Sequence, residues 1–369
     1  MKTVLIILVF FHGLLHLPGF SKAFSDAYVP CISINISRFN GMLWLTAALL
    51  MISTALLYFL KKEWWWIPAI VGLLLSQYLI LLNWHEAKFG TIINVLLLFV
   101  ILISVATAFF KAQYQSDVGQ RLQLQANKPA EVLTEQDIKL LPPAIQKYLH
   151  YCGVVGKPKV NHFKVELSGQ LRKDARSAWM PVTSTQYNFV DSTCRFFFMN
   201  ATMNKLPVAG YHRFAAGKAT MDIRLLSLLK VQYKEGKEMN IAETVTFFND
   251  MCCMAPATLI DKRIQWLEAD DCKVIARFTS QDISVMATLY FSKNGALINF
   301  ASGDRYAIDD NNNFKKTPWS TPIRGYKTIN GYQLPAMAET IYNFPNEDFC
   351  YGSFIITNVE YNPKGPITH

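Results

Sequence analysis

Two histidines one helical turn apart, His12 and His16, sit inside the apolar run FFHGLLHLPGF near the N-terminus. A spacing of four places both imidazoles on one face of a helix. Ionisable groups in apolar spans are costly, turn towards a bundle interior and mark sites. If the helix ends at Phe20, His16 lies about 6 Å and His12 about 12 Å below its end, at 1.5 Å per residue. A later loop carries His85 and Glu86, and Asn94 follows at a similar depth. Three kinds of chemistry are open. His12, His16, His85 and Glu86 offer a nitrogen and carboxylate set for a divalent metal with an open position. One imidazole paired with Glu86 offers a proton shuttle. Otherwise the histidines hydrogen-bond Asn83, Asn94 or Ser76 and hold helices together. The expectation common to all three is a buried, paired cluster.

The elements that must carry this cluster are apolar runs. Within 369 residues, four fall in the first third: Val4–Phe20, Met42–Leu60, Trp64–Asn83 and Thr91–Phe110. Each approaches the ~20 residues that a helix needs to cross ~30 Å of hydrocarbon. This reads as a four-helix transmembrane module over residues 1–110, a linker or helical stalk over 111–133, and a soluble domain over 134–369. The first run is too long for a signal-peptide core and lacks a small-x-small cleavage site, and Pro18-Gly19 reads as a helix end. Lys61, Lys62 and Trp64–Trp66 mark one interface, Trp84 and Lys88 the other. Lys2, Lys61, Lys62, Lys111, Arg121 and Lys128 fall on one side, against Lys22, Arg38 and Lys88 on the other. That bias places both termini, and with them the soluble domain, in the cytoplasm of a bacterial inner membrane, multi-pass.

Composition narrows the partners. The net charge is +9, but no basic run interleaved with aromatics appears, so no nucleic acid is expected and membrane lipid is the simpler partner. Six of the seven cysteines lie in the soluble part. They have no zinc spacing, and adjacent Cys252-Cys253 cannot readily pair, so free thiols of a reducing compartment are expected.

After residue 133 the pattern predicts an α+β domain. Thr134 and Asp137 form a helix start. Pro142-Pro143 opens a helix carrying Ile145, Tyr148, Leu149 and Cys152, and Gly153 stops it. The period then becomes two. In HFKVELSGQL, Phe163, Val165, Leu167 and Leu171 alternate with Lys164, Glu166, Ser168 and Gln170, the second set expected on a wet face. KVIARF, SVMATLYF and LINF continue the pattern, with Asn294-Gly295 and Asn330-Gly331 as hairpin turns. One helix interrupts, with Asn240 and Glu243 as its cap pattern, Ile241, Val245, Phe248 and Cys252 as its stripe, and Pro256 as its end. The prediction is a mostly antiparallel, curved sheet with a few helices, packed on a helix or around an apolar ligand.

No phosphate loop, nucleophile elbow, zinc helix or dinucleotide fingerprint is present, so no cofactor is assigned. The run Asp309–Asn313 lacks the glycine and distal glutamate of a calcium loop and reads as a turn. The segments LPPAIQKYLHYCGVVGKPKV, AWMPVTSTQYNF, APATLID, ASGDRY, WSTPIRGY and GYQLPAMAETIYNF resemble a family of uncharacterised bacterial membrane proteins, catalogued as a domain of unknown function. HGLLHLPGF and NWHEAKFGTIINVLLL resemble the anchor of its bacteroidete-type members, with Glu86 where those read Asp. The resemblance implies no activity or cofactor.

Trp179, Arg305, Tyr306 and Trp319 fall in these motifs. Read as a site, Trp179 and Trp319 wall a cleft mouth and Arg305 anchors an anionic head group. Read as structure, Asp304 and Arg305 brace strand ends. The leading expectation is a membrane-anchored binding protein for an apolar or lipid-like small molecule held by the sheet. Its rivals are a membrane-embedded enzyme on the histidine cluster and a scaffold of a membrane complex.

Overall fold

The computed structural model describes residues 2–24, 36–125, 131–309 and 313–365. They form two compact units, Met1–Phe110 and Lys111–His369. Cys31, the middle of the Asp309–Asn313 run and Lys128 lie outside the described residues.

The first unit is built from α1 (Lys2–Leu14), α2 (Leu17–Phe24), α3 (Arg38–Phe59), α4 (Trp66–Leu82), the single turn α5 (Trp84–Ala87) and the start of α6 (Gly90–Gln125). Among the described residues, three stretches are long and apolar enough to cross a membrane: Thr3–Phe24, Arg38–Phe59 and Gly90–Gln125. The fourth run, Trp66–Leu82, is a shorter apolar helix of 17 residues. It measures about 26 Å at 1.5 Å per residue, because Trp64 and Trp65 fall outside it. Pro18-Gly19 is not a helix end. The chain breaks earlier, at Leu15-His16, and Pro18 sits in the first turn of α2, where its missing N–H leaves no bond unmade. Gly19 then allows close approach, since a Cβ there would lie 2.3 Å from the Trp44 ring.

In the second unit the remainder of α6 comes first, followed by α7 (Glu135–Ile138) and α8 (Pro143–Cys152). Thr134 and Asp137 close a reciprocal capping box before α7. Gly153 ends α8 at φ +66°. Six strands follow: β1 (His162–Leu171), β2 (Met180–Phe189), β3 (Cys194–Met203), β4 (Leu206–Ala215), β5 (Lys218–Leu225) and β6 (Leu229–Glu235). After α9 (Lys237–Met254) come β7 (Ile264–Ala269), β8 (Lys273–Ser280), β9 (Ile283–Phe291) and β10 (Leu297–Ser302). The small hairpin β11 (Tyr306–Ile308) and β12 (Phe314–Lys316) precedes β13 (Trp319–Ile329), β14 (Tyr332–Asn343) and β15 (Asp348–Tyr361).

Thirteen strands form one antiparallel sheet in the order β6-β5-β4-β3-β2-β1-β15-β14-β13-β10-β9-β8-β7. Sequence neighbours β6 and β7 therefore occupy opposite edges, joined through α9. Laid flat, twelve strand spacings of ~4.8 Å would separate them by about 58 Å. The 18 residues of α9 reach only about 27 Å at 1.5 Å per residue. α9 packs against β5 and β6 from one half of the sheet and β9, β10 and β14 from the other, so the sheet curls around this helix and α9 fills the hollow. The core is continuous around α9: Phe247, Phe248, Phe278, Phe300 and Trp319 are buried together with Phe163, Val165 and Leu167 of β1. The curved sheet thus packs on its own helix.

Two local expectations change. α9 starts at Lys237 after Gly236 (φ +110°), not at Asn240. Asn240 instead accepts the Ala219 N–H at 2.7 Å, and Glu243 is buried in an ion pair with Arg195. The second change concerns the outer face of β1–β4. The stretch read as linker or stalk is helical to Gln125, and its Tyr114, Val118 and Leu122 are buried, with Tyr114 against Phe198 of β3. That face is covered at Lys164, whereas Glu166 and Ser168 are half-buried and Gln170 stays exposed as expected. Lys164 accordingly lies 5% exposed between Glu166 (2.7 Å) and Glu360 (3.1 Å).

Candidate functional site

The membrane-type cluster is buried and paired. His16 Nε2 lies 2.9 Å and His12 Nε2 3.1 Å from the same Ser76 hydroxyl. His12 Nε2 also lies 3.0 Å from Asn94 Oδ1, and His16 Nδ1 2.8 Å from the His12 carbonyl. With the Asn94 amide oriented so that Oδ1 faces His12, donor bookkeeping assigns the tautomers. A carbonyl only accepts, so His16 carries its proton on Nδ1 and its Nε2 accepts from Ser76. Asn94 Oδ1 only accepts, so His12 carries its proton on Nε2. Asn94 Nδ2 then donates to Ser76 Oγ and Gln77 Oε1, both at 3.1 Å. The helix break explains the His16–His12 bond: the His16 N–H goes to the Gly13 carbonyl, leaving the His12 carbonyl for the imidazole of His16.

This network joins Ser76, Asn94, His12 and His16 without His85 or Glu86. His85 is exposed on α5, and among the described residues no group of three or more His, Cys, Asp or Glu side chains could hold a metal ion. The fourfold set anticipated for metal is not gathered, because the α5 turn points His85 away from the helix interface while Ser76 and Asn94 supply the partners.

In the second unit, Arg305 and Trp319 do come together. The guanidinium lies 5.0 Å from the indole centroid, and Nη1 donates to the Ala242 carbonyl at 2.6 Å. Trp319 donates to Tyr351 Oη at 3.1 Å, and Tyr351 stacks on Tyr342. Tyr306 touches this group through its carbonyl, which accepts from Tyr342 Oη. Trp319 is, however, 2% exposed, a core residue rather than the wall of a mouth. Trp179 joins this group only indirectly: Arg172 lies over its ring at 4.5 Å and over Phe349 at 5.2 Å, and Phe349 is 6.4 Å from Tyr351. Asp304 and Arg305 do not pair with each other; Asp304 holds Lys316 at 2.8 Å and the Met286 N–H.

Sequence reasoning missed a buried polar network beneath α9. Arg195 binds Asp250 (2.8 Å), Glu243 (3.1 Å) and Gln186 (2.9 Å), and Gln186 and Asn188 both donate to Asp250. Burial works to raise Glu243, but Arg195, His212 and Arg305 outweigh it and hold the carboxyl at about 2. Asp250 goes the other way: burial raises it, and Arg195, Asn188 and Gln186 only partly offset that. The signal was present: Glu243 and Asp250 lie seven apart, on one helix face.

A second missed feature is an open cleft of about 510 Å³ between α6 and strands β4–β6, lined by Gln113, Ser116, Asp117, Arg213, Thr220 and Tyr233. Asp117 accepts from Tyr211 Oη at 2.7 Å and Arg213 Nε at 3.1 Å. Burial and then Asp117 push the Tyr211 hydroxyl up, so it remains a donor. For Arg213, burial works against the charge but Asp117 outweighs it. The volume falls in the range of small-molecule sites, roughly 300–1,000 Å³. The spacing of Tyr114, Val118 and Leu122 announces the helix that forms its wall.

Fold and site together define a protein with apolar N-terminal helices and a large curved antiparallel sheet closed on a central helix. The chain belongs to the family of unknown function DUF6544, whose model matches residues 131–354. No curated protein matches it. Among solved structures it is similar to a DUF1329 family protein from Desulfovibrio piger (8% identity, TM-score 0.34, 61% of this chain and 93% of that one). It is also similar to a LolA superfamily protein from Nitrosomonas europaea (8%, 0.28, 59% and 91%). A domain assigned to outer membrane lipoprotein sorting from Vibrio parahaemolyticus is similar at 7% identity and a TM-score of 0.32, over 55% of this chain and 85% of that one.

Proposed function

We propose that this chain is a membrane-anchored binding protein for a lipid-like ligand whose polar head occupies the cleft between α6 and β4–β6. The observation that carries the reading is the cleft itself: about 510 Å³, open, with Arg213, Asp117, Thr220 and Ser116 converging on it. The hollow of the sheet is filled by α9, so the ligand sits on the outer face. The four apolar runs anchor the chain as a multi-pass membrane protein with the second unit in the cytoplasm. The histidine cluster acts as an interhelical tie, since each polar hydrogen assigned above already has an acceptor.

Native mass spectrometry of the full chain released from lipid nanodiscs tests the ligand. Wild type should carry a reproducible lipid adduct, and Thr220→Trp, which fills the cleft, should lose it while keeping its melting temperature. No adduct on wild type, or an unchanged adduct on the variant, defeats the reading. Orientation is checked through Cys272, an exposed thiol. An impermeant maleimide should leave it unlabelled in intact cells and label it after lysis, with Cys272→Ser as control.

A further inference from the structure

One end of the sheet is closed by two hairpin tips of unusual composition. The β3–β4 tip reads Met203-Asn204-Lys205-Leu206-Pro207, and the stretch at the β5–β6 tip reads Arg224-Leu225-Leu226-Ser227-Leu228-Leu229-Lys230. The tips are tied together by the Leu226 N–H on the Pro207 carbonyl, at 2.8 Å. Both turns place two residues at positive φ: Asn204 (+50°) and Lys205 (+68°), then Leu226 and Ser227 (both +57°). Such turns favour asparagine, aspartate and glycine, and a leucine in the left-handed region is a strained choice. The fold nevertheless sets leucines at this turn and leaves Met203, Leu206, Leu228 and Leu229 between 37% and 60% exposed. Neither tip contains an acidic residue; Lys205 and Lys230 are exposed beside the apolar groups, while Asp222 of β5 holds Arg224 at 2.7 Å and Lys230 at 3.9 Å.

The chain enters this unit from the same end. Tyr114 Oη reaches the Thr185 carbonyl near the middle of β2, whereas Gln125 reaches Asp191 in the β2–β3 turn, the end opposite the tips. Running back along α6 from Tyr114 to Lys111, the first residue of the unit, therefore leads towards the tips. Apolar side chains flanked by Lys205 and Lys230, on the end where the chain enters this unit, match an anionic lipid surface: the leucines enter the acyl boundary and the lysines meet head-group phosphates.

We propose that the β3–β4 and β5–β6 tips insert into the lipid surface of the membrane. This rests on the anchoring read above, and its failure is separable from failure of the anchor. The test uses the full chain with Cys272→Ser and a single added thiol at Leu228→Cys, carrying an environment-sensitive fluorophore, in phosphatidylglycerol-containing bilayers doped with spin-labelled lipid. Lys218→Cys, at the opposite end of β5, is the reference, and the chain without an added thiol gives the background. Leu228 is exposed, so its replacement leaves the fold intact. The expected result is several-fold stronger lipid quenching at position 228 than at 218, weakened by Leu229→Lys. Equal quenching at both sites in a membrane-bound chain overturns the insertion. A label at 228 shielded from both lipid and aqueous quenchers also overturns it, pointing to a protein contact instead. Loss of the chain from the membrane fraction would fail the anchor itself.

Discussion

Glu243 of α9 and Arg195 of β3 meet at 3.1 Å in the hollow of the sheet, both side chains buried. Two carboxylates share this arginine, yet Glu243 is held low and Asp250 high. The difference is company: Glu243 is also reached by His212 and Arg305, whereas Asp250 has only neutral amides besides Arg195.

The pair sets an acid dependence. A glutamate in the unfolded chain titrates at its ordinary 4.5, but folded Glu243 titrates at about 2. Its stabilisation is therefore fully present above 4.5 and lost as pH falls through about 2. The shift corresponds to on the order of 3 kcal/mol. Asp250, raised in the fold, contributes in the opposite sense. Glu243→Gln should cost about 3 kcal/mol at neutral pH by leaving Arg195 half-paired, and should flatten the acid limb of stability measured by denaturant titration. An acid limb as steep as that of wild type would disprove the assignment.

Lys164 marks a second prediction. Held between Glu166 and Glu360 under the α6 cover, it should destabilise the second unit by about 1–3 kcal/mol when changed to alanine, because two carboxylates lose their shared donor. Val165→Asp, on the core face, should be worse. Thermal melts of the two variants order the faces of β1; no change for Lys164→Ala would mean that its face is open to water.

The histidine cluster makes a spectroscopic prediction. Nitrogen-15 shifts of labelled histidine should show His16 as the Nδ1–H tautomer and His12 as the Nε2–H tautomer. Asn94→Leu should release His12 and weaken the helix association by about 0.5–2 kcal/mol, the range for hydrogen bonds between membrane helices. An Nε2–H signal from His16 would reverse the direction of the chain of bonds.

Much of this was legible in the chain because it is local. The period-two pattern of HFKVELSGQL gives β1 residue for residue, Thr134 with Asp137 gives the cap of α7, and Asn330-Gly331 gives the β13–β14 turn, both residues at positive φ. The illegible part is long-range. Alternation tells that Lys164 opposes Val165, but not that a helix some fifty residues upstream will roof it. Glu243 reads locally as a cap because glutamate near a helix start usually is one; only the partner Arg195, on another strand, makes it a buried ion. His12 and His16 announced burial through their cost in an apolar run, while the choice of Ser76 and Asn94 over His85 and Glu86 depended on the rotation of α4 and α6.

The strand order carries a consequence for how the molecule is made. β15, synthesised after all the other strands, lies at the middle of the sheet, between β1 and β14. Until it leaves the ribosome, β1 and β14 are both unpaired edges, and the two halves of the sheet are connected only through α9. Such edges are templates for pairing with other chains, and closure must wait for contacts spanning almost the whole domain, which is slow. The nascent protein thus passes through a stage with two adhesive flanks, so its biogenesis, more than its finished fold, sets the demand for chaperones.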